Sequence, residues 1–398
     1  MLNKIKSSLP LAHFYVIMLC LFFQALTFSE GYRIFAYINL ILVLIAGVFC
    51  RRQTILPINT GIVPGVLLLL VFIGAEWLAS ANFSLTVKPI RHLLLAIGLM
   101  VGIALLSVHH TKIKSRLMPA LTGLVYAYTI FQCIAVYILE RPYGTTKNPH
   151  YLAIYSAIFL VISIYLLLKH TELIQRVLLI FSSFLLGTLF LYTSSRPMWI
   201  ALLLAVFMTA FCLRRPTALI LLLGSSVIFV GLAMTNIGNF KSRWEDLILH
   251  ANTEERVIIW QDAWQMQQHN SSHLQWTFGH GVESFAKDFP GYSRYHMHEH
   301  IDFNSPHNIL LELLYQFGIV GLMLVLLGVV LLYFQIISAY LQRRNIEQHA
   351  WVYLLLLMVL TIDFFSVSIT LPFFVSINLN ILALVTGVTV YLSNIGKR

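Results

Sequence analysis

The chain has 398 residues, of which 59% are hydrophobic and only 11% charged, with a formal net charge of +10. Soluble domains carry about a quarter charged residues, so this composition excludes a water-soluble globular protein. Apolar runs of about 18 residues or more, long enough to cross a hydrocarbon core of roughly 30 Å as helices, recur along nearly the whole chain without the period-two alternation of a barrel.

About twelve runs follow one another, at approximately 12–29, 32–50, 61–80, 89–108, 117–139, 149–168, 175–193, 197–213, 217–235, 307–338, 351–371 and 374–393. The first follows Lys4 and Lys6 without a small-residue cleavage site, and reads as a retained helix rather than a signal peptide. The predicted class is an all-α integral membrane protein of about 12 transmembrane helices. No internal repeat and no low-complexity segment stands out.

Basic residues set the predicted orientation. With the N-terminus in the cytoplasm, the inside segments hold Lys4 and Lys6, Arg51 and Arg52, Lys112, Lys114 and Arg116, Lys169 and Arg176, Arg214 and Arg215, Arg343 and Arg344, and Lys397 and Arg398. Both termini are then cytoplasmic. Residues 1–235 carry the first nine helices, 236–306 form one long outside loop, and 307–398 carry the last three. The positive net charge follows from this bias and gives no argument for a nucleic-acid partner. Cys20, Cys50, Cys133 and Cys212 all fall in apolar runs, so the loop is not stapled by disulfides.

The long loop has room for a small folded unit. Thr253 to Gln268 reads as a helix, with Thr253 as cap and Glu254 and Glu255 in its first turn. Val257, Trp260, Trp264 and Gln267 recur at helical spacing and predict the face laid on the membrane or the bundle. The following "TFGHGVESF" reads as a turn-rich connector.

The tenth run begins "FNSPHNILLELLYQFGIVG". Ser305 is a suitable N-cap and Pro306 suits the first helical position, which predicts His307 in the first turn. There the helix dipole disfavours imidazolium, so His307 is expected to stay neutral and able to accept a proton. The competing reading is a histidine bonded at the membrane interface.

Several cations are expected on the same side. Arg196 lies in "YTSSRPMWIAL", between two runs joined by almost no loop. Arg243 lies in "KSRWEDL" and Arg256 in "EERVIIW". Lys88, Arg91 and His92 share one helical face, and Arg141 and Lys147 flank the turn before the sixth run. Outside segments are ordinarily poor in basic residues, so a gathering at helix mouths suits a phosphate-bearing ligand. Snorkelling for Arg196, and pairing with nearby acids for Arg243 and Arg256, are the bland alternatives.

Glu76 can pair with Lys88 or Arg91. Glu312 and Asp363 interrupt apolar runs and must face the bundle interior, with Glu312 a possible auxiliary to His307. His296, His298 and His300 alternate in "YHMHEHIDF" and would share a face only on a strand, so no metal site is assigned. No Gly-rich phosphate loop with lysine, nucleophile elbow, zinc-protease helix or paired metal-binding carboxylates is present. No cofactor is expected, and an activated lipid-linked substrate must supply the energy for any reaction.

The order and topology of "GTTKNPHYLA", "SSRPMWIAL", "ERVIIWQDAW", "FGHGVESF" and "SPHNILLELLYQFGIVG" resemble the O-antigen ligase family, which shares a domain with O-antigen polymerases and protein O-oligosaccharyltransferases. His150 stands where that family usually has Asn. The resemblance implies a GT-C-like, metal-independent, inverting glycosyltransferase of the inner membrane, with its active site at the periplasmic face. It would transfer a glycan from undecaprenyl diphosphate to the lipid A-core oligosaccharide in lipopolysaccharide biosynthesis. Arg196 and Arg256 match arginines assigned to the diphosphate, and His307 matches the candidate base. Lys88, Arg91, Arg141 and Arg243 are diphosphate-binding candidates on charge placement. A polymerase, with a lipid-linked glycan as acceptor, is the alternative reading. A polysaccharide transporter or flippase would show repeat symmetry, which the sequence lacks.

Overall fold

A computed structural model describes residues 2–49, 83–213 apart from 142 and 147, 255–344 apart from 300 and 302, 350–370 and 376–395, with scattered positions between 216 and 249. All regular structure among these residues is helical. The first part holds α1 (Leu2–Ala25), α2 (Ser29–Phe49), α3 (Phe83–Leu105), α4 (His110–Cys133), α5 (Pro149–Lys169), α6 (Leu173–Tyr192) and α7 (Arg196–Cys212). Then come α8 (Glu255–Asn270) and three short helices, α9 (His273–Phe278), α10 (Ser284–Asp288) and α11 (Arg294–Glu299). The chain closes with α12 (Ile309–Arg343), α13 (Ala350–Thr370) and α14 (Ser376–Ile395). The expected runs at 61–80 and 217–235 fall wholly or largely outside the described residues; each of the others is a helix. Six helices among the described residues are long and apolar enough to cross a membrane.

One large apolar core joins α1 to α7 with α12, α13 and α14. In it α3 packs along α14, α5 along α6, and α7 along α13. The fully buried Ala201 and Ala205, four residues apart, suit the close packing of α7. The periphery is equally apolar: Leu173 and Ile174 on α6 are each 75% exposed, and Phe184 on the same helix is 66% exposed. Such a continuous apolar surface is costly in water and is solvated by lipid chains. The chain is thus a multi-pass membrane protein. Asp363, 1% exposed, faces the bundle interior as expected. Cys20, Cys133 and Cys212 are free thiols.

A second core sits over the start of α12. Ile259, Ala263 and Met266 from α8, Phe285 from α10, Phe289 and Tyr315 bury one another, with Tyr292, Tyr295, Phe303 and Leu311 around them. The buried face of α8 is only in part the expected one: Gln267 is buried and Val257 and Trp260 are half-buried as expected. Ile259, Ala263 and Met266 turn inward, whereas Trp264 is 43% exposed and stacks edge-on against Trp276. Aliphatic packing, not the tryptophan stripe, orients the helix. Asp262, 1% exposed on the same helix, accepts bonds from Nε of Arg294 at 2.6 Å and from its backbone N–H at 2.9 Å, which ties α11 to α8.

A straight helix of 35 residues would be roughly 52 Å long, well beyond the bilayer core. The break in α12 resolves this. Gly318 has φ 63° and ψ −170°, which separates a half-helix at 309–317 from the long remainder. The carbonyls freed by the break are not left bare. The N–H of His280 donates to Tyr315 O and the N–H of Gly281 to Gln316 O, each at 2.9 Å. Tyr315 also donates to Asp288 Oδ2 at 2.7 Å, and Asn270 Nδ2 donates to the Tyr315 hydroxyl at 2.7 Å. The half-helix is thereby tied to the loop unit through Leu311 and Tyr315, while its Ile309, Leu313 and Phe317 pack in the main core.

Candidate active site

Three chain segments meet above the bundle. The first is the turn between α6 and α7. Ser194 has φ 50°, an uncommon conformation for a residue with a side chain, and it turns the chain so that Arg196 opens α7 and Pro197 follows at the second position. Ser195 is the N-cap residue and is 3% exposed, yet its hydroxyl makes no capping bond.

The second segment is the start of α5. Gly144 has φ 62°, and a Cβ there would run into Oε1 of Gln132, so glycine is required. Gln132, fully buried, accepts from the Thr145 N–H at 3.0 Å and donates to Thr145 Oγ1 at 2.8 Å. Thr146 Oγ1 donates to Tyr143 O at 2.6 Å and to Asn148 O at 2.9 Å. This fixed loop places Asn148 as N-cap, accepting from the His150 N–H at 2.8 Å, with Pro149 at the first helical position. The His150 ring then reaches α7: its Nδ1 lies 2.8 Å from Ser195 Oγ.

The third segment is the approach to α12. The expected placement of His307 in the first helical turn is not what the structure has. Asn308 is the N-cap, accepting from Leu310 N at 3.0 Å and Leu311 N at 3.3 Å. Ser305 instead uses its hydroxyl on the His307 N–H, at 3.1 Å. His307 precedes the cap and has φ 50°. Asn is as strong a cap as Ser, and the later of the two suitable residues takes the position. His307 still stands at the positive end of the half-helix, with its ring edge-to-face with Phe303 at 6.1 Å.

These segments form one electrostatic group. Arg256, in the first turn of α8, and His307 both act on the His150 imidazole. His150 is bonded to Ser195, which immediately precedes Arg196. The structure therefore gathers His150, Ser195, Arg256 and His307, with Arg196 next in chain, where the N-termini of α5 and α7 meet. Guanidinium groups at the positive ends of helices suit a multiply charged anion.

Other expected residues are placed as follows. Glu312, 3% exposed in the first turn of α12, is turned inward as expected and accepts from Gln316 Nε2 at 3.3 Å. Arg141 is exposed on the loop before α5, and Arg91 lies on α3; among the described residues neither side chain bonds to the group around His150. Arg243 and the side chain of Lys88 lie outside the described residues, as do Glu76 and Lys147. His296 and His298 lie on a helix, where a spacing of two separates side chains around the axis, and His300 is outside the described residues. Among the described residues, no group of three or more His, Cys, Asp or Glu is placed to hold a metal ion.

Sequence reading missed Ser195 and His150 as site residues. Both carried a signal: in "NPH" a capping Asn directly precedes the proline and in "SRP" the Ser precedes it by two, so each motif opens a helix and sets its first polar side chains at the mouth.

Fold and site together define a multi-pass, all-helical membrane protein with a cationic, two-imidazole site at one end of its bundle. Residues 181–326 are similar to the family model described as O-antigen ligase. The matched segment contains Ser195, Arg196, Arg256 and His307, and excludes His150. A comparison with curated proteins finds no match.

Proposed function

We propose that the chain is an O-antigen ligase: a glycosyltransferase that moves a glycan from undecaprenyl diphosphate to the lipid A-core oligosaccharide, at the periplasmic face of the inner membrane. The observation that carries this reading is the convergence of Arg256, His307 and the α7 N-terminus bearing Arg196. The acceptor hydroxyl attacks the anomeric carbon, the bond from that carbon to the phosphate oxygen breaks, and the electron pair leaves with the diphosphate. Charge grows on the leaving group, so arginines placed there stabilise the transition state more than the bound substrate. His307 takes the acceptor proton. Arginines and helix ends supply the positive charge that a divalent ion would otherwise bring, which supports a metal-independent, inverting transfer. One face attacks and the other departs, so configuration inverts.

Deletion in a host that makes long O-antigen tests the reading. We expect undecaprenyl-linked long glycan to accumulate while the lipid A core stays bare. Cores capped with a single repeat would instead assign the chain as the polymerase. Unchanged lipopolysaccharide would overturn both.

A further inference from the structure

Ser195 occupies the N-cap position of α7, where a serine hydroxyl ordinarily accepts a backbone N–H and stabilises the helix. The hydroxyl gives up that bond and lies 2.8 Å from His150 Nδ1 instead. The residue before it, Ser194, is held at φ 50°, and across the site His307 is held at φ 50°. Strained backbone of this kind persists where surrounding structure over-determines it, and clusters at sites of chemistry. His150 is also fixed from its own side, by the Asn148 cap and the buried Gln132 beneath the loop. A ring so constrained, set beside Arg256 and His307, is more than a packing residue.

We infer that His150 is a second substrate-binding imidazole, whose Nε2–H donates a hydrogen bond to the diphosphate of the donor while the Ser195 hydroxyl, donating to Nδ1, holds that tautomer. The inference rests on the transfer reaction proposed above and deepens it. The two imidazoles divide the work. His307 is the acceptor of the incoming hydroxyl's proton, and His150 is a donor to the departing anion. Imidazole tautomers are set by the bond at the other ring nitrogen: with the Ser195 hydroxyl as the donor to Nδ1, the ring proton lies on Nε2, which is the tautomer this inference assigns. Ser195 is in this account a positioning residue that acts only through His150. Arg256 and His307 lie within electrostatic range of His150, so an anion bound among the three meets one guanidinium and two rings.

The test is a binding measurement that needs no turnover. Purified full-length protein in lipid nanodiscs is titrated with undecaprenyl diphosphate, for the wild type, His150→Phe, His150→Asn, Ser195→Ala and the Ser195→Ala/His150→Phe double variant. Phe keeps the ring and removes its polar atoms; Asn keeps a side-chain donor. A lost hydrogen bond to a charged group predicts a roughly 10- to 100-fold rise in Kd for His150→Phe. Most of the affinity should return in His150→Asn. Ser195→Ala should weaken binding on its own and change nothing further in the His150→Phe background. Equal affinity of the wild type and His150→Phe, or additive losses in the double variant, would overturn the inference and leave the transferase reading intact. Absence of binding by the wild type would overturn the transferase reading itself. If His150→Phe fails to fold, Ser195→Ala against His150→Asn decides: Ser195→Ala must weaken binding more than His150→Asn does.

Discussion

Gly279 and Gly318 lie against each other's chains at the break in α12. A Cβ on Gly279 would strike the peptide between Gln316 and Phe317, and one on Gly318 would strike the peptide between Thr277 and Phe278. Both have positive φ, 88° and 63°. The contact is backbone on backbone, and no side chain is available to move aside.

Gly318→Ala and Gly279→Ala should therefore each destabilise the loop unit. The left-handed or extended positive-φ conformation alone costs about 1–3 kcal/mol for alanine, and the blocked peptide contact adds to it. We expect a lower thermal midpoint in both, and loss of transfer because the half-helix behind His307 shifts. Because the two residues share one contact, the double variant should lose less than the sum of the singles. A wild-type midpoint in either single variant would show that the two chains do not touch in solution.

His307→Asn separates backbone from chemistry. Asn tolerates the left-handed conformation better than most residues, so the turn before Asn308 should persist. It cannot take a proton at the pH of the reaction. The expected result is wild-type stability, near-normal affinity for undecaprenyl diphosphate and loss of transfer. Substantial turnover in this variant would remove His307 as the base and leave Glu312 as the nearest carboxylate on the same half-helix.

Arg196→Lys should not be conservative. A planar fork that grips two oxygens becomes a point charge, and the residue opens α7 where the cap hydroxyl is already committed elsewhere. Weaker contact in the transition state should cost about 2–4 kcal/mol, roughly 30- to 1000-fold in rate. The measurement is kcat at matched protein levels. Turnover within a few-fold of wild type would return Arg196 to a snorkelling role.

The loop unit should lose stability on acidification through His280. Its ring stacks on Tyr315 at 4.2 Å and 7°, and Nε2 lies 2.8 Å from Ser271 Oγ. Burial pushes its imidazole below the ordinary value, with the Asp288 carboxylate pulling weakly the other way. Above about pH 6.5 neither folded nor unfolded chain holds this proton, so stability there is independent of it. As pH falls below that value the unfolded chain binds the proton first, and stability drops until the folded ring also protonates. Protection factors of amides in α8 and α10, taken relative to the intrinsic exchange rate at each pH, should fall over this window in the wild type. His280→Phe, which keeps the stack, should flatten the response. Protection that increases on acidification would show the opposite sign.

Much of the architecture was legible because lipid leaves helices few choices. Runs of apolar residues fixed the helices from Ser29–Phe49 to Ser376–Ile395, and Glu312 and Asp363 turned inward as their charge requires. Less legible was anything decided by competition between equal local signals. Ser305 and Asn308 are both good caps three residues apart, and the position of His307 depended on which one took the helix. On α8 the tryptophans and the aliphatic residues each make a stripe, and the second core chose the aliphatic one. The break at Gly318 was invisible, since a glycine within "QFGIVG" is equally compatible with continuous helix until Gly279 arrives opposite it. The bond between His150 and Ser195 links positions 45 apart, which no local spacing could announce.

Because α12 is interrupted at Gly318, the candidate base is carried by the loop unit and not by the membrane-spanning rod that follows it in sequence. The segment from Glu255 to Phe317 bears Arg256, the second core and His307 together, and Val282, Ile309, Leu313 and Phe317 anchor it in the main core. Chimeras between relatives that exchange this whole segment should keep the site assembled. Those that cut at the apparent start of the tenth helix would split Tyr315 from Asp288 and leave the imidazole attached to the wrong partner.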